Sequence, residues 1–224
     1  MRPRLFSAIV ATVGIVFSAA GSAAPPLPCS NYPTVAAWAA AGSCVDNVDG
    51  DLLITYVSSA GTFPTTATFA VSEVELAGVD LYVVSFDFGP SGWAGGGSIQ
   101  YRFASLNQER VGGANFDTVV QGTGAVATKE MFDAGSATPF LTLTSTNGSR
   151  DPVTGETAFT KRPEIVVTDT FNLPGTAVFF HADNSAAVVQ TAATAIPVDS
   201  SWAIVTLAFL LAIAGLYHVG MRRG

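Results

Sequence analysis

The chain reads as an all-β protein: an antiparallel β-sandwich, jelly-roll-like, behind a short N-terminal helix, with an apolar segment at each end. Three observations lead there. Apolar and polar residues alternate with period two in one segment after another. Those segments are short, rich in Val, Thr and Phe, and bounded by Gly, Pro, Asn and Asp. Sustained helical periodicity is confined to the two ends. About ten strand-like segments behind one helix fit two packed sheets, a closed barrel being the alternative.

The chain opens MRPRLFSAIVATVGIVFSAAGSAAPPLP. Arg2 and Arg4 form a positive start, residues 5–17 an apolar stretch, and the small residues of SAAGSAA follow. That order predicts a secretory signal peptide over residues 1–23, cut between Ala20 and Ala24. The apolar run is short for a helix that stays in a membrane. Pro28 stands where a lipidated cysteine would need a small residue, which excludes a lipoprotein.

Export places Cys29 and Cys44, the only cysteines, in an oxidising compartment. An even, close pair there predicts a disulfide rather than a metal site or free thiols. The intervening SNYPTVAAWAAAGS predicts a short helix, with Pro33 at its first position and Gly42 at its stop. A bridge would tie that helix into a clip, worth roughly 3 kcal/mol in the chain-entropy model.

The exported region, residues 24–190, has the size of one domain with its own core, roughly 170 residues. Four of the ten basic residues (Arg2, Arg4, Arg222, Arg223) and one of the seventeen acids (Asp199) lie in the ends. Six bases and sixteen acids remain, a net charge of −10. A phosphate backbone needs cations opposite it, so nucleic acid is excluded as a partner. An acidic surface suits solubility outside the cell and is compatible with divalent cations.

The strand segments follow in order: LLITYV, ATFAVSEVEL, VDLYVVSFDF, SIQYRFASL, DTVVQG, AVATKEMF, PFLTLTS, EIVVTDTF, TAVFFHA and AAVVQT. Tyr82, Val84, Phe86 and Phe88 share one face, against Ser85 and Asp87. Ile99, Tyr101 and Phe103 oppose Gln100 and Arg102. Ile165, Val167 and Phe171 alternate with Val166, Thr168 and Thr170. FGPSGWAGGGS and STNGSRDPVTGET read as loops. TAATA, residues 191–195, is a linker of small residues.

Residues with chemistry are few. His181 is the only histidine before the tail, so histidine metal clusters are excluded and any Ser-His-Asp triad would have to use it. Asp183 stands too close along the strand to serve obviously as its orienter. Glu73 and Glu75 share a strand face ~7 Å apart, inside the ~6.5–9.5 Å range of an inverting glycosidase pair. Alternate acids on a strand also mark a solvated face. DNVDGD sets Asp46, Asn47, Asp49 and Asp51 in one turn, so Asp46, Asp49 and Asp51 are calcium candidates, although the spacing is not that of an EF-hand. Gly95, Gly96 and Gly97 lack the context of a nucleotide-binding loop. Asn147-Gly148-Ser149 matches a glycosylation sequon. No cofactor and no catalytic set is implied.

The chain ends IPVDSSWAIVTLAFLLAIAGLYHVGMRRG. Residues 201–219 form an uncharged run that would span ~28 Å as a helix, close to the ~30 Å hydrocarbon core. Arg222 and Arg223 would hold the terminus in the cytoplasm, with Trp202 at the outer interface. A proline beside an aliphatic residue, then Trp, an apolar helix and terminal arginines resemble the PEP-CTERM class of sorting signals. The segment is most similar to the IPTL-CTERM variant, Ile-Pro-Thr-Leu-Ser-Glu-Trp: Ile196, Pro197, Ser200 and Trp202 match in register, while Val198, Asp199 and Ser201 depart. The resemblance implies recognition by an exosortase, a membrane-embedded cysteine transpeptidase-like enzyme of Gram-negative bacteria, over residues 196–224. Cutting near the motif would deliver the domain to the cell surface or an exopolysaccharide matrix. CSNYPTVAAWAAAGSCVDNVDGDLLITYV is similar to the opening of other PEP-CTERM proteins and implies no activity.

The expected protein is thus a non-enzymatic surface or matrix protein, held in the inner membrane by its tail before processing. Two alternatives remain: an extracellular polysaccharide hydrolase on a jelly roll, and a permanently anchored ectodomain.

Overall fold

The structure, a computed structural model, describes residues 25–76, 79–107 and 110–189. The predicted signal peptide, the linker and the tail with Ile196, Pro197, Ser200, Trp202, Arg222 and Arg223 lie outside them. Among the described residues no helix is long and apolar enough to cross a membrane.

A single 3-10 turn, Cys29–Asn31, leads into the helix α1, Val35–Ala41. Helix formation begins two residues later than the proline signal implies. Thr34, in extended conformation, is the N-cap and accepts a hydrogen bond from the amide of Ala37 at 3.2 Å. Pro33 stays outside because its carbonyl accepts from the amide of Phe69. Gly42 ends the helix at φ 81°, a left-handed turn that residues with a Cβ resist.

Eleven strands follow among the described residues: β1 Ser43–Val45, β2 Leu52–Gly61, β3 Thr68–Leu76, β4 Val79–Asp87, β5 Gly97–Ser105 and β6 Arg110–Gln121; then β7 Val126–Phe132, β8 Leu141–Thr146, β9 Thr157–Arg162, β10 Glu164–Asn172 and β11 Val178–Val189. They build two antiparallel sheets, ordered β1-β2-β5-β10-β7-β8 and β3-β4-β11-β6-β9. Both sheets have open edges, so the barrel alternative gives way to a sandwich. β10 enters between β5 and β7, and β11 between β4 and β6. The last two strands therefore occupy the middle of both sheets.

The predicted inward rows meet between the sheets. Ile99, Tyr101, Phe103, Tyr82, Val84, Phe86, Ile165 and Val167 are fully buried, and Phe171 nearly so. Phe171 of one sheet packs edge-on against Phe179 of the other at 5.1 Å between centroids. Each such side chain gains about 1.5–3 kcal/mol by leaving water. α1 closes one part of this core through Trp38, which stacks on Phe69 at 4.2 Å. The predicted bridge is present: Cys29 and Cys44 form a disulfide, with their Cα atoms 4.9 Å apart.

Four strands differ from the sequence reading: β1, which it does not name, and β6, β11 and β9. β6 starts seven residues before DTVVQG, through Gly112 and Gly113. A Cβ at Gly113 would meet the Ala187 methyl at 3.1 Å, so the glycine marks close approach of β6 and β11 rather than a turn. TAVFFHA and AAVVQT are parts of one strand, β11, which continues through Asp183, Asn184 and Ser185. β9 is an edge strand pairing only with β6 among the described residues, and its half-exposed TAFTKR has no buried row to betray it.

Candidate functional site

Two surface groups and one buried group gather the chemistry-bearing side chains. The first surface group lies where the turn after β1 meets β3. Asp46 is almost fully buried, and its carboxylate organises the turn. Oδ1 accepts from the amides of Val48, Asp49 and Gly50 at 2.9–3.1 Å, and Oδ2 from Leu52 at 3.0 Å. Burial opposes its ionisation, but these four donors hold it below the usual carboxylate range. Asp51 is engaged elsewhere, accepting from the Tyr82 hydroxyl at 2.7 Å and the Asn107 amide at 2.6 Å.

Of the calcium candidates, Asp46 and Asp49 come together, and Glu73 rather than Asp51 supplies the third oxygen of a set within 4.8 Å. Glu73 lies in the inward row of Phe69 and Val71, opposite Tyr82 in the β3–β4 register, and so not on an outer solvated face. Desolvation, with Asp49, Asp46, Asp80 and Asp51 around it, pushes Glu73 up to about 7. Desolvation and Asp51 push Asp49 up to about 6.

A carboxyl whose pKa is higher folded than unfolded makes the folded state bind the extra proton. Its favourable contribution is complete below the ordinary value of 4.5 and is lost as pH rises through about 7. Glu73→Gln is therefore expected to melt above the wild type at pH 8 and close to it at pH 4. Calorimetry at the two pH values checks this; a variant that melts lower at pH 8 would show that the ionised carboxylate is stabilising.

The second group covers the outer face of the five-stranded sheet. Asp183 on β11 stands opposite Ser85 of β4 and Asp117 of β6. Its Oδ1 accepts from the Ser85 hydroxyl at 2.5 Å and contacts Nε2 of His181 at 2.8 Å. Alternate strand positions share a face, so Asp183 is the partner of His181 despite lying only two residues away. The hydrogen bond that His181 donates to Asp183 raises the histidine above its ordinary value. Burial opposes ionisation of Asp183, but His181 and Ser85 hold it below its own. The order is Ser-Asp-His: the histidine has no hydrogen bond to the serine and does not activate it.

Beside these residues lies a shallow groove of about 190 Å³, whose polar lining is Asn115, Asp117, Arg150, Asp183 and Ser185. Glu156 accepts from the Asn115 amide and, at 2.6 Å, from the Ser185 hydroxyl, fixing one wall. Val83 and Leu81 supply its apolar part. No aromatic ring lines the groove, so it offers hydrogen bonds without a stacking platform. Sequence reasoning missed the groove because its residues come from β4, β6, β11 and the segment before β9. Asn147 lies in a turn at φ 54°, its side chain accepting from the amide of Gly124 at 2.6 Å.

No family model and no curated protein match the sequence. Among solved structures, one similar chain is that of TmCBM61 in complex with β-1,4-galactotriose. The identity is 12%, the alignment covers 54% of this chain and 86% of that chain, and the TM-score is 0.16. A superposition at that score carries no argument about site or ligand.

Proposed function

We propose that this is a non-enzymatic exported protein, sorted through its C-terminal signal by an exosortase to the cell surface or an extracellular polysaccharide matrix. The observation that supports export is the Cys29–Cys44 bridge, since disulfides form and persist mainly in oxidising compartments. The sorting step rests on Ile196, Pro197, Ser200 and Trp202, the apolar run and the final arginines.

The domain itself is a jelly roll: the strand orders β4-β11-β6-β9 and β5-β10-β7-β8 are those of two interleaved Greek keys, with β1, β2 and β3 added at the edges. Its outer groove, lined by carboxylates, an amide, a hydroxyl and a guanidinium, suits a hydroxyl-rich ligand such as exopolysaccharide. Hydrolysis by two carboxyls needs one held protonated beside one ionised. Asp183 in the groove is held ionised, and the acids pushed upward, Asp49 and Glu73, are not among its lining residues. A binding or structural role is the reading this arrangement favours over a hydrolase.

The test separates sorting from plain anchoring. Replacing Ile196 and Pro197 by alanine leaves the apolar run intact, so insertion is expected to persist. The variant is expected to accumulate uncut in the inner membrane of the native host, while the wild type is shortened and leaves it. If both remain full-length in the inner membrane on a fractionation blot, the tail is an anchor only. Pro197 would then serve merely to stop the helix extending backward.

A further inference from the structure

One polar group lies inside the sandwich and belongs to neither surface group. Lys129 on β7 and Asp169 on β10 stand opposite each other in the strand register, and both side chains are 0% exposed. Asn184, on β11 of the facing sheet, is also 0% exposed. Its register partners Val84 and Phe116 are core residues, which places its side chain on the interior face. Lys129 spans the gap between the sheets: Nζ donates to the backbone carbonyls of Ser185 at 3.0 Å and Asn115 at 3.2 Å. The amine thus reaches β11 one residue from Asn184, on the face that Asn184 occupies.

Three polar atoms of this group have no hydrogen-bond partner: Oδ1 of Asp169, and both Oδ1 and Nδ2 of Asn184. Buried polar atoms are rarely left so, because each has given up its hydration without replacement. An amide orphaned at both ends, a lysine bonded to the backbone of the next residue and a carboxyl with one free oxygen are together the components of an acyl transfer. We propose that Lys129 and Asn184 form an intramolecular isopeptide bond across the sandwich, with Asp169 carrying the proton.

The step balances without a co-reactant. The lone pair of Nζ attacks Cγ of Asn184, and the carbonyl π pair moves to Oδ1. As the carbonyl re-forms, the Cγ–Nδ2 bond breaks. Nδ2 leaves as ammonia, taking up a proton that Nζ gives up and Asp169 relays. One C–N bond forms, one breaks, and nothing is oxidised or reduced.

Attack needs an uncharged amine, and relay needs a protonated carboxyl. Burial moves both groups in that direction, lowering Lys129 and raising Asp169, although the charge of each opposes the shift of the other. The Tyr101 hydroxyl donates to Oδ2 of Asp169 at 3.0 Å, which orients the carboxyl and leaves Oδ1 for the transfer. The apolar surround keeps out water that would compete with Nζ. The product replaces an orphaned NH₂ by a single N–H, so fewer buried donors are left without a partner.

The test is peptide mapping of the full chain purified from membranes, after reduction, unfolding and tryptic digestion. The expected result is no cleavage at Lys129, and a joined species carrying Lys129 and Asn184 whose mass falls short of the sum of its two peptides by one ammonia. Cleavage at Lys129 with Asn184 recovered as a free amide overturns the proposal. So does a join at Asp169 with loss of water. Asp169→Asn is expected to keep the sheet signal in circular dichroism yet give the unlinked peptides. If the link forms as fully in that variant, Asp169 is not the proton carrier. Because the wild-type digest decides the existence of the bond, a variant that fails to fold leaves that result standing.

Discussion

Trp38→Ala is expected to lower the melting temperature of the protein by roughly 6–20 °C, from the loss of about 3–5 kcal/mol typical of a buried aromatic truncation. Trp38 is fully buried, although it comes from a seven-residue helix with little stability of its own. Its ring stacks on Phe69 of β3 and meets Tyr56 of β2 edge-on at 5.5 Å. Its indole N–H donates to the carbonyl of Ile54 at 3.4 Å. One side chain therefore pins α1 to a strand of each sheet. Truncation leaves a ring-sized hole in contact with both and removes the indole hydrogen bond to β2. Trp38→Phe keeps a stacking ring and loses the N–H, so its effect is expected to be clearly smaller. Calorimetry of the two variants checks the order; a Trp38→Ala protein that melts with the wild type would mean that α1 is not part of the core.

Trp38 also shows what could be read in advance and what could not. VAAWAAA between a threonine and a glycine announces a helix from its residues alone, because caps and propensities act locally. The inward rows of β4, β5 and β10 were equally legible, since a half-buried strand imposes period two. Nothing local states that Trp38 stacks on Phe69, thirty-one positions away.

The failures share one cause. The predicted strand DTVVQG stops short of Gly112 and Gly113, since glycine usually breaks a strand, yet at Gly113 a side chain would crowd the Ala187 methyl. Asp183-Asn184-Ser185 reads as a turn because polar runs usually face water. In β11 Asp183 and Ser185 lie on the groove side, Ser185 itself buried, and Asn184 turns into the core. Asp169 belongs to the inward row of β10, Ile165, Val167, Asp169, Phe171, although a charged residue predicts an outward position for the same reason. The candidate sites were legible only as far as one strand or one turn supplied them. Asp46 with Asp49, and His181 with Asp183, lie within a single segment. Glu73 joins the first pair, and Ser85 and Asp117 the second, only through strand pairing.

Replacing both Cys29 and Cys44 by serine is expected to lower the melting temperature by roughly 6–12 °C, from a loop-closure contribution of about 3 kcal/mol. The argument turns on what the bridge closes. Cys29 lies in the 3-10 turn and Cys44 in β1, fifteen positions apart, with α1 between them. β1 is a three-residue edge strand bonded to β2 on one side only. Across the turn, Val45 donates its amide to the carbonyl of Leu27. Such a short edge has few hydrogen bonds to hold it, so without the bridge the turn, α1 and β1 can detach while both sheets stay paired. Hydrogen exchange in the serine variant should therefore rise in residues 29–45 well before it rises in β5 or β10. Reducing agent should produce the same pattern in the wild type. Uniform acceleration across both sheets would instead mean that the clip and the sandwich unfold as one unit. Trp38 would then transmit the loss of the bridge directly to the core. The two substitutions are thus coupled: once the clip is loose, Trp38 can leave its site without further strain. The combined variant is expected to lose less than the sum of the separate losses.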